Sequence, residues 1–415
     1  MFPHPSKNLI GSKTNYLAGK RIILGICGSV AAIKSPEIAR ELMRNGADVW
    51  TVMTRESQKI IHPYLMEWAT GNPVVTDLTG KIEHVSLIGE DKHFSDLLLI
   101  APATANTISK IACGIDDTPV TSVATVALGS GVPIIIVPAM HDAMYKNPHV
   151  KENIKKLKSK GVTFVDPVIE EGKAKIAPIE HILFAVLKKI AFPSDLEGLR
   201  ILVTAGPTRE YIDSIRFISN PSSGRMGIAL ANAAYLRGAD VTLVYGPGIE
   251  KPPEVYSVIN VTTSKEMLEQ VLKLLNQEKY DIFISAAAIS DFTPVVTQNE
   301  KISSEKPYTI QLVPTPKIIA EVKKKYPSVF VVGFKAEYNV SDEELVNRAY
   351  KTLEKDNIDL IVANDVSRVG VGFESITNEV LIISKERRVT KVSKKNKFDV
   401  ANEILFEILK ELKYT

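Results

Sequence analysis

Residues 218–227 read "ISNPSSGRMG" and run into small apolar residues, 228–234, with helical character. Small polar groups at the mouth of a helix suit an anion. The backbone N–H groups of Ser222, Ser223 and Gly224 would face it, and the helix dipole favours the same sign of charge. The plainer reading is an N-cap, which needs only one serine; the surplus favours a ligand. No GK[ST] follows four spacer residues and GxSxG is absent, so this is neither a P-loop nor a nucleophile elbow. Two more polar loops share this half of the chain, "GPTREYID" at 206–213 and "AAAISDF" at 286–292. In the latter, small residues let a ligand approach the backbone, and Asp291 could hold a ribose hydroxyl or a metal. Lys301 follows in "NEKISS"; a lone lysine is ordinarily solvated. The N-terminal half has its own set: "GICGSVAA" (25–32), "VMTRES" (52–57), "APATANTISKIACG" (101–114) and "PAMHDAMY" (138–145). Gly28 and Ser29 suit either a phosphate or a tight turn.

The elements that must position these residues repeat one plan. Ile22–Ile26 and Val49–Met53 are short apolar runs flanking a helical spacing at Ile38, Leu42 and Met43. Ile201–Thr204 and Val241–Tyr245 flank a second helix, and "RNGADV" and "LRGADV" each end a helix with glycine. Buried-type strands lead into small-residue loops at 96–106 and 281–291. The expected fold is α/β, with two doubly wound Rossmann-like domains of mainly parallel strands. "AFPSDLEG" at 191–198 marks the boundary, giving domains 1–192 and 193–415. In such sheets ligands bind beyond the carboxyl ends of the strands, where these loops lie.

The chain of 415 residues is too long for one core. A net charge of +3 gives no reason to invoke nucleic acid. The basic run at 384–395 reads as a surface hairpin whose lysines guard an edge. No apolar run spans a membrane and the start carries no signal-peptide core, so the expected location is cytoplasmic. Cys27 and Cys113 stand far apart, which argues against a zinc site or a disulfide framework and leaves any metal ligands unassigned.

From Asp195 onward, "DLEGLRILVTAGPTREYIDSIRFISNPSSGRMG", "AAAISDF…EK", "VVGFKAE" and "DLIVANDV" resemble in order the phosphopantothenate–cysteine ligase domain of the bifunctional coenzyme A biosynthesis flavoproteins. The resemblance implies joining of 4′-phosphopantothenate to cysteine with CTP through an acyl-cytidylate, with Mg²⁺ on the triphosphate. It implies that Asn220 acts on that intermediate and that Lys301 is the essential lysine of a mobile loop. CTP would be held by Ala286, Ala287, Asp291, Lys301, Pro316, Lys317, Ile318, Ile319 and Phe334, with Lys351 and Lys355 near the triphosphate. The loop reads "KISS" where the family often has KIKK, so Ser303 and Ser304 replace two basic residues.

Residues 18–190 resemble the flavin-dependent cysteine decarboxylases, on "GICGSVAA", "VMTRES", "APATANTISKIACG" and "PAMHDAMY". The resemblance implies FMN against Gly28, Ser29, Thr54, Ser57, Ala103, Thr104, Ala105 and Asn106, and makes His84 the catalytic base of a decarboxylation yielding 4′-phosphopantetheine. His141 stands where the family has the asparagine that handles the substrate carboxylate. The flap, 170–182, lacks the family's cysteine, and Lys173 or Lys175 either serves there or is a solvated flap charge. The family's assemblies imply homo-oligomers, with trimeric flavin and dimeric ligase halves. The competing reading is an active ligase whose flavin half acts on another substrate or serves a regulatory or scaffold role.

Overall fold

The computed structural model describes residues 4–89 and 94–414. The chain divides into two compact units, Met1–Phe192 and Pro193–Thr415.

The first unit is built on six parallel strands, in spatial order Val74–Val75, Asp48–Met53, Arg21–Ile26, Leu97–Ala103, Ile134–Pro138 and Thr163–Phe164. Apolar runs form the inner strands because both faces are covered: Leu97–Ala103 is buried throughout. Ile23, Val52, Leu98, Ile100, Ile134 and Ile136 pack against the helices Ala105–Cys113, Pro119–Ser130 and Pro148–Ser159. The chain order reverses between Arg21–Ile26 and Leu97–Ala103, a switch point that leaves a crevice at the carboxyl ends of those two strands.

The second unit repeats the plan on eight strands: Ser257–Asn260, Asp240–Tyr245, Arg200–Ala205, Ile282–Ser285, Phe330–Glu337, Leu360–Asp365, Thr377–Ser384 and Val389–Asn396. The first six run parallel and the last two form an antiparallel hairpin at the edge, over the basic run read as a hairpin. Period-two alternation divides the core. Val203, Ile284, Val332 and Val362 face the helices Arg225–Leu236 and Lys397–Tyr414. Their neighbours Leu202, Phe283, Val331 and Ile361 face Ser264–Gln277, Ile318–Lys325 and Asp342–Asp356. Each such side chain contributes about 1.5–3 kcal/mol on burial. Gly227 sets the first helix close to the sheet: a Cβ there would lie 2.3 Å from the Ala205 Cβ. The switch point falls between Arg200–Ala205 and Ile282–Ser285. Among the described residues, no helix is long and apolar enough to cross a membrane.

Candidate functional sites

In the second unit the loops leaving the two switch-point strands meet. Pro207 bridges Ala288, and the Ala288 N–H donates to Gly206 O at 2.9 Å. Gly206 has φ 78°, and a Cβ would lie 2.5 Å from Gly246 O, so the turn needs glycine. Asn220 reaches the same place. Its side-chain amide donates to Ala288 O (3.2 Å) and Ile289 O (3.1 Å), which leaves its Oδ1 to accept from a ligand. The Ser219 hydroxyl donates to Thr208 O at 2.7 Å, and the Ser290 N–H donates to Thr208 Oγ1 at 3.0 Å. Two loops read separately in the sequence thus form one wall.

That wall continues through Thr315, whose N–H donates to Asp291 O (3.0 Å) and whose hydroxyl donates to Ser290 O (2.6 Å). Asp291 and Lys317 form an exposed ion pair. Pro316, Lys317, Ile318 and Ile319 therefore stand beside the Ala286–Ala287–Asp291 loop. Phe334 is half-buried on the neighbouring strand. Lys351 and Lys355 are exposed on the helix Asp342–Asp356, without ion-pair partners among the described residues. Lys301 is exposed, and its ammonium has no hydrogen-bond partner among the described residues.

The mouth of the helix differs from a simple serine cap. The helix runs Arg225–Leu236, its N-cap residue is Gly224 at φ 84°, and no side chain caps it. The Ser222 N–H is taken by Asn220 O (2.8 Å) and the Gly224 N–H by Ser222 Oγ (3.4 Å), so fewer donors face outward than the sequence implied. The buried Ser223 hydroxyl donates to Phe373 O at 2.7 Å, and Arg225 reaches Glu250 (2.8 Å) and Glu374 O (2.7 Å). Lys397, nearly fully buried, donates to Gly372 O (2.9 Å) and Phe373 O (3.2 Å). Burial first, then the Arg225 charge, pushes its ammonium down to about 8. The 372–374 segment is thereby held across the helix mouth.

In the first unit the expected flavin residues converge. Thr54 N–H donates to Ile26 O (3.0 Å), Cys27 N–H to Pro102 O (3.1 Å) and Ala139 N–H to Ala103 O (2.9 Å). A Cβ on Gly28 would lie 2.6 Å from the Glu56 Cβ, so only glycine lets this turn approach the Thr54–Ser57 turn. Ser29, Thr54 and Thr104 each present a hydroxyl at a helix start. Ser57 is buried and donates to Thr54 O (2.7 Å), while Ala103 and Ala105 are buried and Asn106 is exposed. N–H groups and hydroxyls at three converging helix starts, with small side chains between, fit a phosphate-bearing cofactor such as FMN. Burial pushes the Cys27 thiol up to about 11, against hydrogen bonds from Thr107 and Thr104, so it rests as a thiol.

Beside these turns lies a cleft of about 450 Å³. Ser29, Val30, Ile33, Lys34, Met140, His141, Lys173 and Lys175 contribute to its walls, a cationic and partly apolar lining without a carboxylate. Val30 and Ile33 are 75% and 59% exposed, unusual for such residues unless something covers them. The outer wall is a three-stranded antiparallel sheet pairing Met140–His141 with Lys173–Lys175 and Val168–Glu170. His141 Nδ1 accepts the Ala143 N–H at 3.3 Å, which puts its proton on Nε2. Lys175 is paired with Glu170 (2.9 Å) and Glu171 (2.8 Å); Glu171 first, then Glu170, raises its pKa. His84 lies elsewhere, on the short helix Glu83–Ser86 packed against Pro119–Ser130, and is not among the residues lining the cleft. Its Nδ1 is buried without a hydrogen-bond partner among the described residues.

Among the described residues no group of three or more His, Cys, Asp or Glu could hold a metal ion. Sequence reasoning missed Asp213, Arg216 and Lys397. Their roles depend on pairings across 24–89 residues of chain; only the Asp-x-x-Arg spacing at 213–216 hinted at a local pair.

Comparison with known proteins matches each unit to a family model. Residues 10–191 match the Flavoprotein family, and residues 196–412 match the DNA/pantothenate metabolism flavoprotein C-terminal domain. The coenzyme A biosynthesis bifunctional protein CoaBC of Thermococcus kodakarensis is 51% identical over 99% of this chain and 100% of its own. That of Methanocaldococcus jannaschii is 42% identical over 99% and 98%. A crystal structure of the C-terminal domain of a CoaBC protein is 33% identical, covers 53% of this chain and 98% of its own, and superposes with a TM-score of 0.44. With two family domains in the same order and half its residues identical to a full-length relative, the chain belongs to the family of coenzyme A biosynthesis bifunctional flavoproteins.

Proposed function

We propose that the second unit joins 4′-phosphopantothenate to cysteine at the expense of CTP, and that the first decarboxylates the product with FMN. The observation that carries the reading is the docking of Asn220 on the Ala288 and Ile289 carbonyls. It brings the "SNPSSG" turn to the "AAAISD" loop at the switch point, where an acyl-phosphate and a nucleotide would meet.

In ligation a carboxylate approaches the α-phosphate of a polyanion, so positive charge and donors must offset developing negative charge. Lys301, without a partner among the described residues and set on the loop beside this wall, supplies the charge. The free Oδ1 of Asn220 can accept from the incoming cysteine amine, directing its lone pair at the acyl carbon. Asp291 and Lys317 hold the ribose end, and Lys351 and Lys355 receive the triphosphate with Mg²⁺.

In decarboxylation, bound FMN would supply reversible hydride chemistry at the carbon bearing the substrate thiol. The chain binds, orients and moves protons. Ser29 and the Gly28 turn would hold the flavin phosphate, with Thr54 and Thr104. The family resemblance makes His84, although it does not line this cleft, the base that takes the thiol proton. His141 donates its Nε2–H to the substrate carboxylate, and Lys34 and Lys173 offset the remaining negative charge. The antiparallel strands Phe292–Pro294 and Leu312–Pro314 of the second unit, with exposed Phe292, Leu312 and Val313, support pairing of ligase units in a cytoplasmic homo-oligomer whose flavin units form trimers.

The test is an assay from 4′-phosphopantothenate, cysteine and CTP that follows both products. Formation of 4′-phosphopantetheine with CO₂ release confirms the pair of activities. Accumulation of phosphopantothenoylcysteine without CO₂ in the FMN-loaded protein would instead favour a flavin unit with another task, a reading that the cysteine-free flap supports.

A further inference from the structure

The loop that carries Lys301 leaves the strand Phe292–Pro294 and returns at Leu312–Pro314, two three-residue strands paired antiparallel. Between them it lies along the 211–216 segment of the other short hairpin, Arg209–Tyr211 with Phe217–Ser219. The Thr297 hydroxyl donates to Tyr211 O (3.0 Å) and the Gln298 N–H to Ile212 O (3.0 Å). The next attachment is at Ile302, adjacent to Lys301. Its N–H donates to Asp213 Oδ2 at 3.1 Å, and its carbonyl accepts from the Arg216 guanidinium.

Asp213 is unusual for a carboxylate on such a hairpin. Its side chain is fully buried and collects donors on both oxygens. Oδ1 accepts the N–H groups of Ile215 (2.8 Å) and Arg216 (2.7 Å); Oδ2 accepts Arg216 Nε (2.9 Å) and the Ile302 N–H. The Arg216 N–H above all, with those of Ile215 and Ile302, holds the carboxyl well below the usual carboxylate range against the opposing effect of burial. One oxygen therefore closes the local turn, and the other grips the Lys301 loop. The hairpin so gripped leads within one residue to Asn220. A single buried carboxylate thus links the backbone beside Lys301 to the strand that delivers Asn220.

We propose that Asp213 is a positioning residue for the ligation step: it seats Lys301 against the nucleotide by holding the neighbouring residue, and sets the loop in register with Asn220. This rests on the reading of Lys301 as the residue that supports attack on the α-phosphate. Lys301 has four rotatable side-chain bonds and no partner among the described residues, so its reach is set by where its backbone is anchored. A displacement of about 1 Å at a reacting group can cost about 10²-fold in rate.

Asp213→Asn separates the two grips. With its oxygen turned to the Ile215 and Arg216 N–H groups, asparagine keeps the turn, and its NH₂ then opposes both the Ile302 N–H and the Arg216 Nε–H, the two donors that hold the loop side. In the full-length protein, single-turnover pyrophosphate release from CTP and 4′-phosphopantothenate, without cysteine, should fall about 10²-fold. The KM for CTP should move by less than roughly threefold, because the nucleotide's other contacts remain. In a Lys301→Gln background, Asp213→Asn should add less than about twofold, since its effect passes through the lysine. If Asp213→Asn does not fold, Ile302→Pro removes the donated N–H from the loop side and is read in the same cycle. Losses that multiply in the double variant overturn the proposal while leaving the Lys301 assignment intact. Normal release in Lys301→Gln alone overturns that assignment and the tether with it.

Discussion

His84 and His141 differ in what holds them. The Ala143 N–H fixes His141 Nδ1 and leaves an Nε2–H donor at the cleft wall. His84 keeps a buried Nδ1 with no partner among the described residues, a state that costs energy. His84→Asn is expected to abolish CO₂ release from phosphopantothenoylcysteine while CTP-dependent ligation continues; a normal rate of CO₂ release would remove His84 as the base. His141→Ala should lower decarboxylase kcat/KM by roughly 10- to 100-fold, the range for one lost charge-assisted bond, with FMN content unchanged. An unaltered kcat/KM would reduce His141 to a helix cap. Cys27, as a thiol with a pKa of about 11, is poorly suited to replace a flap cysteine.

At the scale of elements, Lys397 ties the C-terminal helix to the 372–374 segment over the helix mouth. An unfolded chain keeps this proton up to about 10.5, whereas the folded protein releases it near 8. Between those values the unfolded state binds the extra proton, so this group makes stability rise with pH, by up to about 1 kcal/mol per pH unit. Below 8 it contributes no slope. Lys397→Met should flatten that rise, which denaturant unfolding of both proteins at pH ~7.5 and ~9.5 would show; equal slopes would mean that Lys397 stays charged throughout. The long elements were legible. Ile22–Ile26, Val49–Met53, Ile201–Thr204 and Val241–Tyr245 all lie inside observed strands, because continuous apolar runs flanking a helical period have few alternatives. The hairpins 209–219 and 292–314 were not, because three-residue strands of mixed polarity carry no periodicity. Asp213 was invisible for a related reason. Its importance comes from Ile302, 89 residues away, and nothing local marks that bond. Asn220 was found through its motif, but the carbonyls that orient it emerged only from the fold.

The whole molecule is two units, each with its own sheet, its own core and its own switch point. Division between Phe192 and Pro193 should therefore leave a C-terminal fragment that folds and releases pyrophosphate from CTP in the presence of 4′-phosphopantothenate. Circular dichroism and the pyrophosphate assay check it, and an aggregated or inactive fragment would show that the second unit depends on the first. Because both units belong to one polypeptide, each translation event delivers one ligase and one decarboxylase in fixed stoichiometry. Changes in gene expression then scale both steps together, and the steady level of the intermediate depends on the ratio of the two rates and on the decarboxylase KM but not on the amount of enzyme.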